Sequence, residues 1–156
     1  METVHRTVLT VHSPRILQAE IEKYKRVSDE KLYGDNDLVD EKHLARHCIG
    51  LSGIGFSDEE IEDLADRIRE MKKKDTQICC SIGFLTEKQA RILKDAGLDR
   101  INHNLNSSRS FYPEICTTHT YDQRVNNIKM LQSLDSRSAV VELLEWVRVR
   151  KISLIC

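Results

Sequence analysis

From Arg46 onward, short apolar runs alternate with amphipathic segments that carry their own start and stop signals. Arg46-His-Cys-Ile-Gly-Leu-Ser52 reads as a buried strand that ends in Gly53-Ile-Gly55. Ser57-Asp-Glu-Glu60 follows as a capping box, in which the Ser hydroxyl and the Glu carboxylate each satisfy a backbone N–H. Ile61, Leu64, Ala65, Ile68 and Met71 then recur at helical spacing, and Lys72 to Lys74 put positive charge at the negative end of the helix dipole. Gln77-Ile-Cys-Cys-Ser-Ile-Gly83 predicts a second strand. Thr86, with Gln89 three residues on, starts the next helix; Ala90, Leu93 and Ala96 face inward and Gly97 stops it. Leu98 and Ile101 open a third strand, a loop runs through Pro113, and a last helix starts near Thr120 with Val125, Ile128, Met130 and Leu131 as its apolar side. Strands alternating with helices at this spacing predict consecutive right-handed βα units on a parallel sheet.

At 156 residues the chain is long enough to bury a core, but a closed (β/α)8 barrel takes about 200 or more. The fold class expected is therefore α/β with consecutive parallel βα units, which a resemblance to a known family makes a partial and incomplete (β/α) TIM-type barrel. Before Arg46 the pattern weakens. Val4, Val8, Leu9 and Val11 suit a strand without an obvious partner, and His5 and His12 read as surface residues. Ile16 to Lys31 reads as a loosely amphipathic helix, and acidic Tyr33 to Asp40, with Gly34 and Asn36, as a loop. The 24 basic and 25 acidic residues are interspersed, so charge makes no case for nucleic acid or an anionic membrane. No apolar run approaches the ~20 residues of a membrane span, and the start lacks an apolar signal core. An odd set of five irregularly spaced cysteines argues against a secreted disulfide framework and for a reducing, cytoplasmic setting.

Polar chemistry concentrates after Gly97. Strand alternation puts Asn102, Asn104 and Asn106 on one face, with His103 and Leu105 on the other. Three amides in a row form a hydrogen-bonding comb suited to a polar small molecule; the plainer reading is a run of turn-forming Asn and Ser. Ligands of such folds bind at the carboxyl ends of the strands, where Gly53, Gly83 and this comb lie. Cys48 and Cys79 occupy equivalent places on successive strands. Neighbouring parallel strands lie ~4.8 Å apart, close enough for two thiols to share a metal centre, although an unpaired strand cysteine is commonly a small buried hydrophobe. Gly53-Ile-Gly55 lacks the fuller phosphate-loop pattern and reads as a tight strand exit. His119, near a helix start, is an acid–base candidate or simply a neighbour of the cap.

The segment His-Asn-Leu-Asn-Ser-Ser, followed by Phe-Tyr-x-Glu-Ile-Cys-Thr-Thr-His-Thr-Tyr121, resembles the central part of the biotin synthase family of radical S-adenosylmethionine enzymes. The likeness covers roughly residues 20–132, weakly before Arg46 and strongly after it. It divides the chain into a poorly defined N-terminal segment (1–44), a partial barrel core (45–133) and a tail unlike the family (134–156). The resemblance implies sulfur insertion into dethiobiotin to give biotin, started by reductive cleavage of S-adenosylmethionine. It implies a four-iron four-sulfur cluster, a two-iron two-sulfur cluster, a small-molecule substrate and a homodimer. Cys48 and Cys79 fall at two ligand positions of the two-iron cluster, and Asn102, Asn104 and Asn106 at the pocket for dethiobiotin and S-adenosylmethionine. Cys80 and Cys116 match no ligand position and read as structural.

Two family features are missing. No Cys-x3-Cys-x2-Cys stands before the core, and no Cys-Ser-Gly-Gly follows Leu131. Both reappear on back-translation with permitted codons. Read from the third base of the Met1 codon, residues Met1–Pro14 yield GNCTQDCPYCAQSA; read likewise from Ser138, the stretch to Ile152 yields CSGGIVGMGESQED. The expectation is a biotin synthase core read out of frame at both ends. Such a chain lacks the ligands for the four-iron cluster, has no catalytic residue set of its own, exposes two sheet edges and an apolar interior, and is inactive and poorly soluble. The alternatives are a non-catalytic α/β small-molecule-binding or interaction module that keeps the Asn-lined face, and a distinct metal protein using Cys48 and Cys79.

Overall fold

In the computed structural model, which describes residues 4–11, 27–105 and 107–134, four parallel strands lie side by side in chain order. They are β1 (Val4–Val11), β2 (Arg46–Ser52), β3 (Ile78–Ser81) and β4 (Arg100–Asn102). Between β1 and β2 lies α1 (Asp29–Glu41); α2 (Asp58–Met71) and α3 (Glu87–Asp95) connect the later strands. A one-turn α4 (Tyr112–Ile115) and α5 (Tyr121–Ser133) follow β4. The sheet is open, with β1 and β4 at its edges, so these βα units form part of a barrel.

Helix starts follow local chemistry. Ser57 with Glu60, Thr86 with Gln89, and Thr120 with Gln123 all close reciprocal capping boxes. Gln89 also works beyond its own cap: buried, it donates from Nε2 to the Phe56 carbonyl at 3.0 Å and to Asp58 at 2.9 Å. This ties the start of α3 to the start of α2. Gly97, at φ 97°, ends α3 in the left-handed region as the sequence predicts. Lys72 reaches Asp99 at 3.0 Å, and Asp99 accepts from the backbone N–H of Ile78 at 2.7 Å, which anchors the start of β3.

The core lies on one side of the sheet. Ile49, Ile78, Cys80 and Ile101 face Ile61, Leu64, Ile68, Leu93, Ile128 and Leu131 from the helices. Along a strand, neighbouring side chains alternate sides, so Arg46, Cys48, Gly50, Cys79, Ser81, Arg100 and Asn102 belong to the other face. Across β2, β3 and β4 that face is polar and sulfur-bearing.

Four expectations change. Val4–Val11 does have a partner, pairing in parallel with β2 so that Arg6 stands opposite Cys48. The helix expected over 16–31 falls largely outside the described residues; a helix begins instead at Asp29, capped by Ser28, with Asp29 and Glu30 favoured at its positive end. Tyr33–Asp40 is helical rather than a loop. Its turn-like residue Asn36 is buried, donating to the Met71 carbonyl at 3.2 Å and meeting His47 Nδ1 at 3.3 Å. Tertiary contacts outweigh the propensities of Gly34 and Asn36 there. The loop through Pro113 contains the turn of helix α4.

Asn36→Ala is expected to cost about 2 kcal/mol, because both the Met71 carbonyl and His47 lose a buried partner. A urea denaturation midpoint within error of the parent would refute this role.

Candidate functional site

Strand register brings Cys48 and Cys79 opposite one another on β2 and β3, and Cys79 opposite Arg100 on β4. Both cysteines are buried. Asn102, at the end of β4, donates from Nδ2 to Cys48 Sγ at 3.5 Å. One sequence-predicted amide and both sequence-predicted thiols therefore meet on one sheet face. The Cys48 sulfur, acting with burial, pushes the Cys79 thiol far above its usual range, while the charge of Arg46 works in the opposite direction. Two thiols this close oppose each other's ionisation. A bound cation reverses that, since thiolates are the ligands metals take.

β4 ends at Asn102, Asn104 is exposed beyond it, and Asn106 lies outside the described residues. Beyond the strand, the Arg124 guanidinium on α5 donates to the Asn104 carbonyl. His103 lies on the helix side, 1% exposed, with Nδ1 3.2 Å from the Ile82 carbonyl. Burial, then the charge of Arg124, lowers its pKa to about 4, so it is neutral at pH 7.

A second polar group gathers at the carboxyl ends of the strands. His119 is no bystander to the Thr120 cap: its Nε2 is 2.8 Å from the Tyr112 hydroxyl and 3.4 Å from Arg124 Nη1. Phe84 meets the rings of both His103 and His119 edge-on. A cleft of about 650 Å³ opens beside His119, walled by Ile54, Phe84, Glu87, Asn126 and Met130. Asn127 fixes one side of it by bonding both the N–H and the carbonyl of Leu85. Cys116, expected to be structural, is partly exposed in this group, whereas Cys80 is a core residue as expected. The sequence offered His119 as a candidate and spaces Tyr112, Cys116 and His119 four and three residues apart, but it held no sign that Arg124 on α5 would join them.

Successive βα units with polar groups on one sheet face and at the strand ends define an α/β protein of the partial (β/α)-barrel class. The profile of the radical SAM superfamily matches residues 11–144, and the chain belongs to that superfamily. Curated relatives include the biotin synthase of Acaryochloris marina, 42% identical over 120 residues, covering 76% of this chain and 35% of that protein. The biotin synthase of Bacillus subtilis is 40% identical over 116 residues, covering 74% of this chain and 35% of that protein. The chain thus spans about a third of the length of the curated relatives it matches. Among solved structures, methylornithine synthase (PylB) superposes with a TM-score of 0.72 at 11% identity, covering 88% of this chain and 44% of that one. The FeFe-hydrogenase maturase HydG of Carboxydothermus hydrogenoformans gives 0.65 at 15% identity, covering 85% of this chain and 34% of that one. At these identities the likeness is one of fold.

The superfamily implies iron–sulfur chemistry with S-adenosylmethionine, and the donor set fits its clusters unequally. No three cysteines come together among the described residues. Their four cysteines are split between the sheet face (Cys48, Cys79), the core (Cys80) and the α4–α5 loop (Cys116), and the sequence has no Cys-x3-Cys-x2-Cys.

Proposed function

We propose that this chain carries the central barrel segment of a biotin synthase, whose family reaction inserts sulfur into dethiobiotin, and that the chain alone does not catalyse it. The observation that carries this reading is the meeting of Cys48, Cys79 and Asn102 on one sheet face in a chain about 40% identical to biotin synthases. Cys48 and Cys79 would hold two positions of a two-iron cluster, which supplies sulfur when bound. Asn102, with its amide on the Cys48 sulfur, orients that ligand and presents its carbonyl to a polar substrate. Dethiobiotin and S-adenosylmethionine are the small molecules proposed for the face, and a homodimer is the proposed assembly. The missing triad is proposed to lie in another reading frame of the same gene, upstream of the core, with the Cys-Ser-Gly-Gly segment downstream.

Anaerobic treatment with iron and sulfide is expected to give weak thiolate-to-iron absorbance that Cys48→Ser and Cys79→Ser each abolish and Cys80→Ser leaves intact. No cleavage of S-adenosylmethionine is expected from the same preparation. Absorbance that survives in the Cys48→Ser, Cys79→Ser double variant would refute the ligand assignment, and turnover would refute the inactivity. Sequencing the gene across both flanks tests the frame reading separately: an alternative frame without the cysteine triad ends it.

A further inference from the structure

β2 and β3 run parallel with Cys48 directly opposite Cys79. Both sulfurs stand on the polar side of the sheet, within hydrogen-bonding reach of one another, and Asn102 Nδ2 on β4 donates to Cys48 Sγ at 3.5 Å. The two other described cysteines cannot intervene. Cys80 stands opposite Ile49 and Ile101 and is buried in the core on the other side of the sheet, and Cys116 lies in the loop after α4. Neighbouring parallel strands lie about 4.8 Å apart, inside the range of about 4.4 to 6.8 Å between Cα atoms that a disulfide spans. The Cβ vectors of directly paired residues run nearly parallel, so the Cβ atoms stay about as far apart as the strands, beyond the roughly 3.5 to 4.5 Å of a relaxed disulfide. A bond there must draw the strands together, which makes it easy to reduce. Cys48 and Cys79 are 4% and 2% exposed, yet the way in is short. β4, beside Cys79, is a three-residue edge strand, the kind of element that opens locally at little cost.

We propose that Cys48 and Cys79 form a reversible disulfide between β2 and β3, a redox switch that withdraws both sulfurs from metal binding. The oxidant is a small-molecule disulfide. One thiol loses its proton and attacks a sulfur of the reagent; the S–S bond of the reagent breaks, and the released half takes a proton. The opposite thiol loses its proton and attacks the cysteine sulfur of this mixed disulfide, so the second half leaves and is protonated in turn. Two electrons pass from the cysteine pair to the reagent, which ends as two thiols. The bond stands on strand register alone; its effect on metal binding rests on the reading of both thiols as cluster ligands.

The test incubates the reduced full chain with excess oxidised glutathione, quenches in acid, alkylates the remaining thiols and maps the digest by tandem mass spectrometry. The expected product is a cross-link between Cys48 and Cys79, with fragmentation between Cys79 and Cys80 finding the alkyl group on Cys80. Treatment in urea is the comparison, where Cys48 is expected to link to several cysteines. Cys48 and Cys79 both alkylated after native treatment, or the same mixture of links with and without urea, overturns the proposal. Metal binding is then read with cadmium ion alone, since sulfide would itself cleave the disulfide. The thiolate-to-cadmium absorbance of the reduced chain is expected to be lost in the cross-linked chain and to return once the bond has been reduced. Undiminished absorbance in the cross-linked chain overturns the switch. A reduced chain without that absorbance tells against the ligand reading instead, and the mapped cross-link still decides the bond.

Discussion

Gly83→Ala is expected to destabilise the chain by about 3 kcal/mol, the upper range for forcing atoms into a packed site. A Cβ at Gly83 would stand 2.2 Å from the Gly53 carbonyl oxygen and 2.8 Å from that of Ile54. Both obstacles are backbone, so no flexible side chain can move aside. The two loops are also bonded, with Phe84 N donating to the Ile54 carbonyl at 2.8 Å. The sheet exits after β2 and β3 therefore touch main chain to main chain, and they set the position of Phe84 against His103 and His119. In urea the expected shift is roughly 1 to 2 M at a typical slope. Gly55→Ala is the control: nothing stands within 4 Å of a Cβ there, and a change under about 0.5 kcal/mol is expected. Equal midpoints for the Gly83 variant and the parent would mean that the loops do not meet as described.

Acid is expected to remove about 3 kcal/mol of stability between pH 6.5 and pH 4 through His103 alone. In the folded chain its pKa is lowered to about 4, first by burial and then by Arg124. Unfolded, the imidazole titrates near 6.5. The sign follows from the proton count. Above pH 6.5 neither state binds the proton and the stabilisation is complete. As pH falls toward 4 only the unfolded state is protonated, so stability drops by about 1.4 kcal/mol per pH unit; below 4 both states are protonated and the loss levels off. His119, also lowered, acts with the same sign. Replacing His103 by Phe keeps an aromatic ring beside Phe84 and is expected to flatten the profile over this window. A parent whose stability is constant from pH 6.5 to 4 would exclude a buried neutral imidazole.

The βα succession was legible because each helix start is written locally. Ser57, Thr86 and Thr120 find their partners three residues on, without help from the rest of the fold. The stripe Ile61, Leu64, Ala65, Ile68, Met71 is buried as its spacing implies. The equivalence of Cys48 and Cys79 was legible for the same kind of reason. In the strands as read from the sequence, which begin at Arg46 and Gln77, each cysteine stands third, and the parallel register places the two opposite one another.

What local chemistry could not express was decided by contacts across the fold. Asn36 reads as a turn residue, but the Met71 carbonyl and His47 give its amide buried partners inside a helix. Asn102, Asn104 and Asn106 read as one strand face, but β4 ends at Asn102, and Arg124, twenty residues after Asn104, takes the Asn104 carbonyl. By itself the sequence determined the alternation of strands and long helices after Arg46 and the equivalence of two thiols, because caps and apolar periods act over a few residues. Only the tertiary structure decided which polar side chains meet, because a hydrogen bond between residues distant in sequence leaves no periodic trace in either segment.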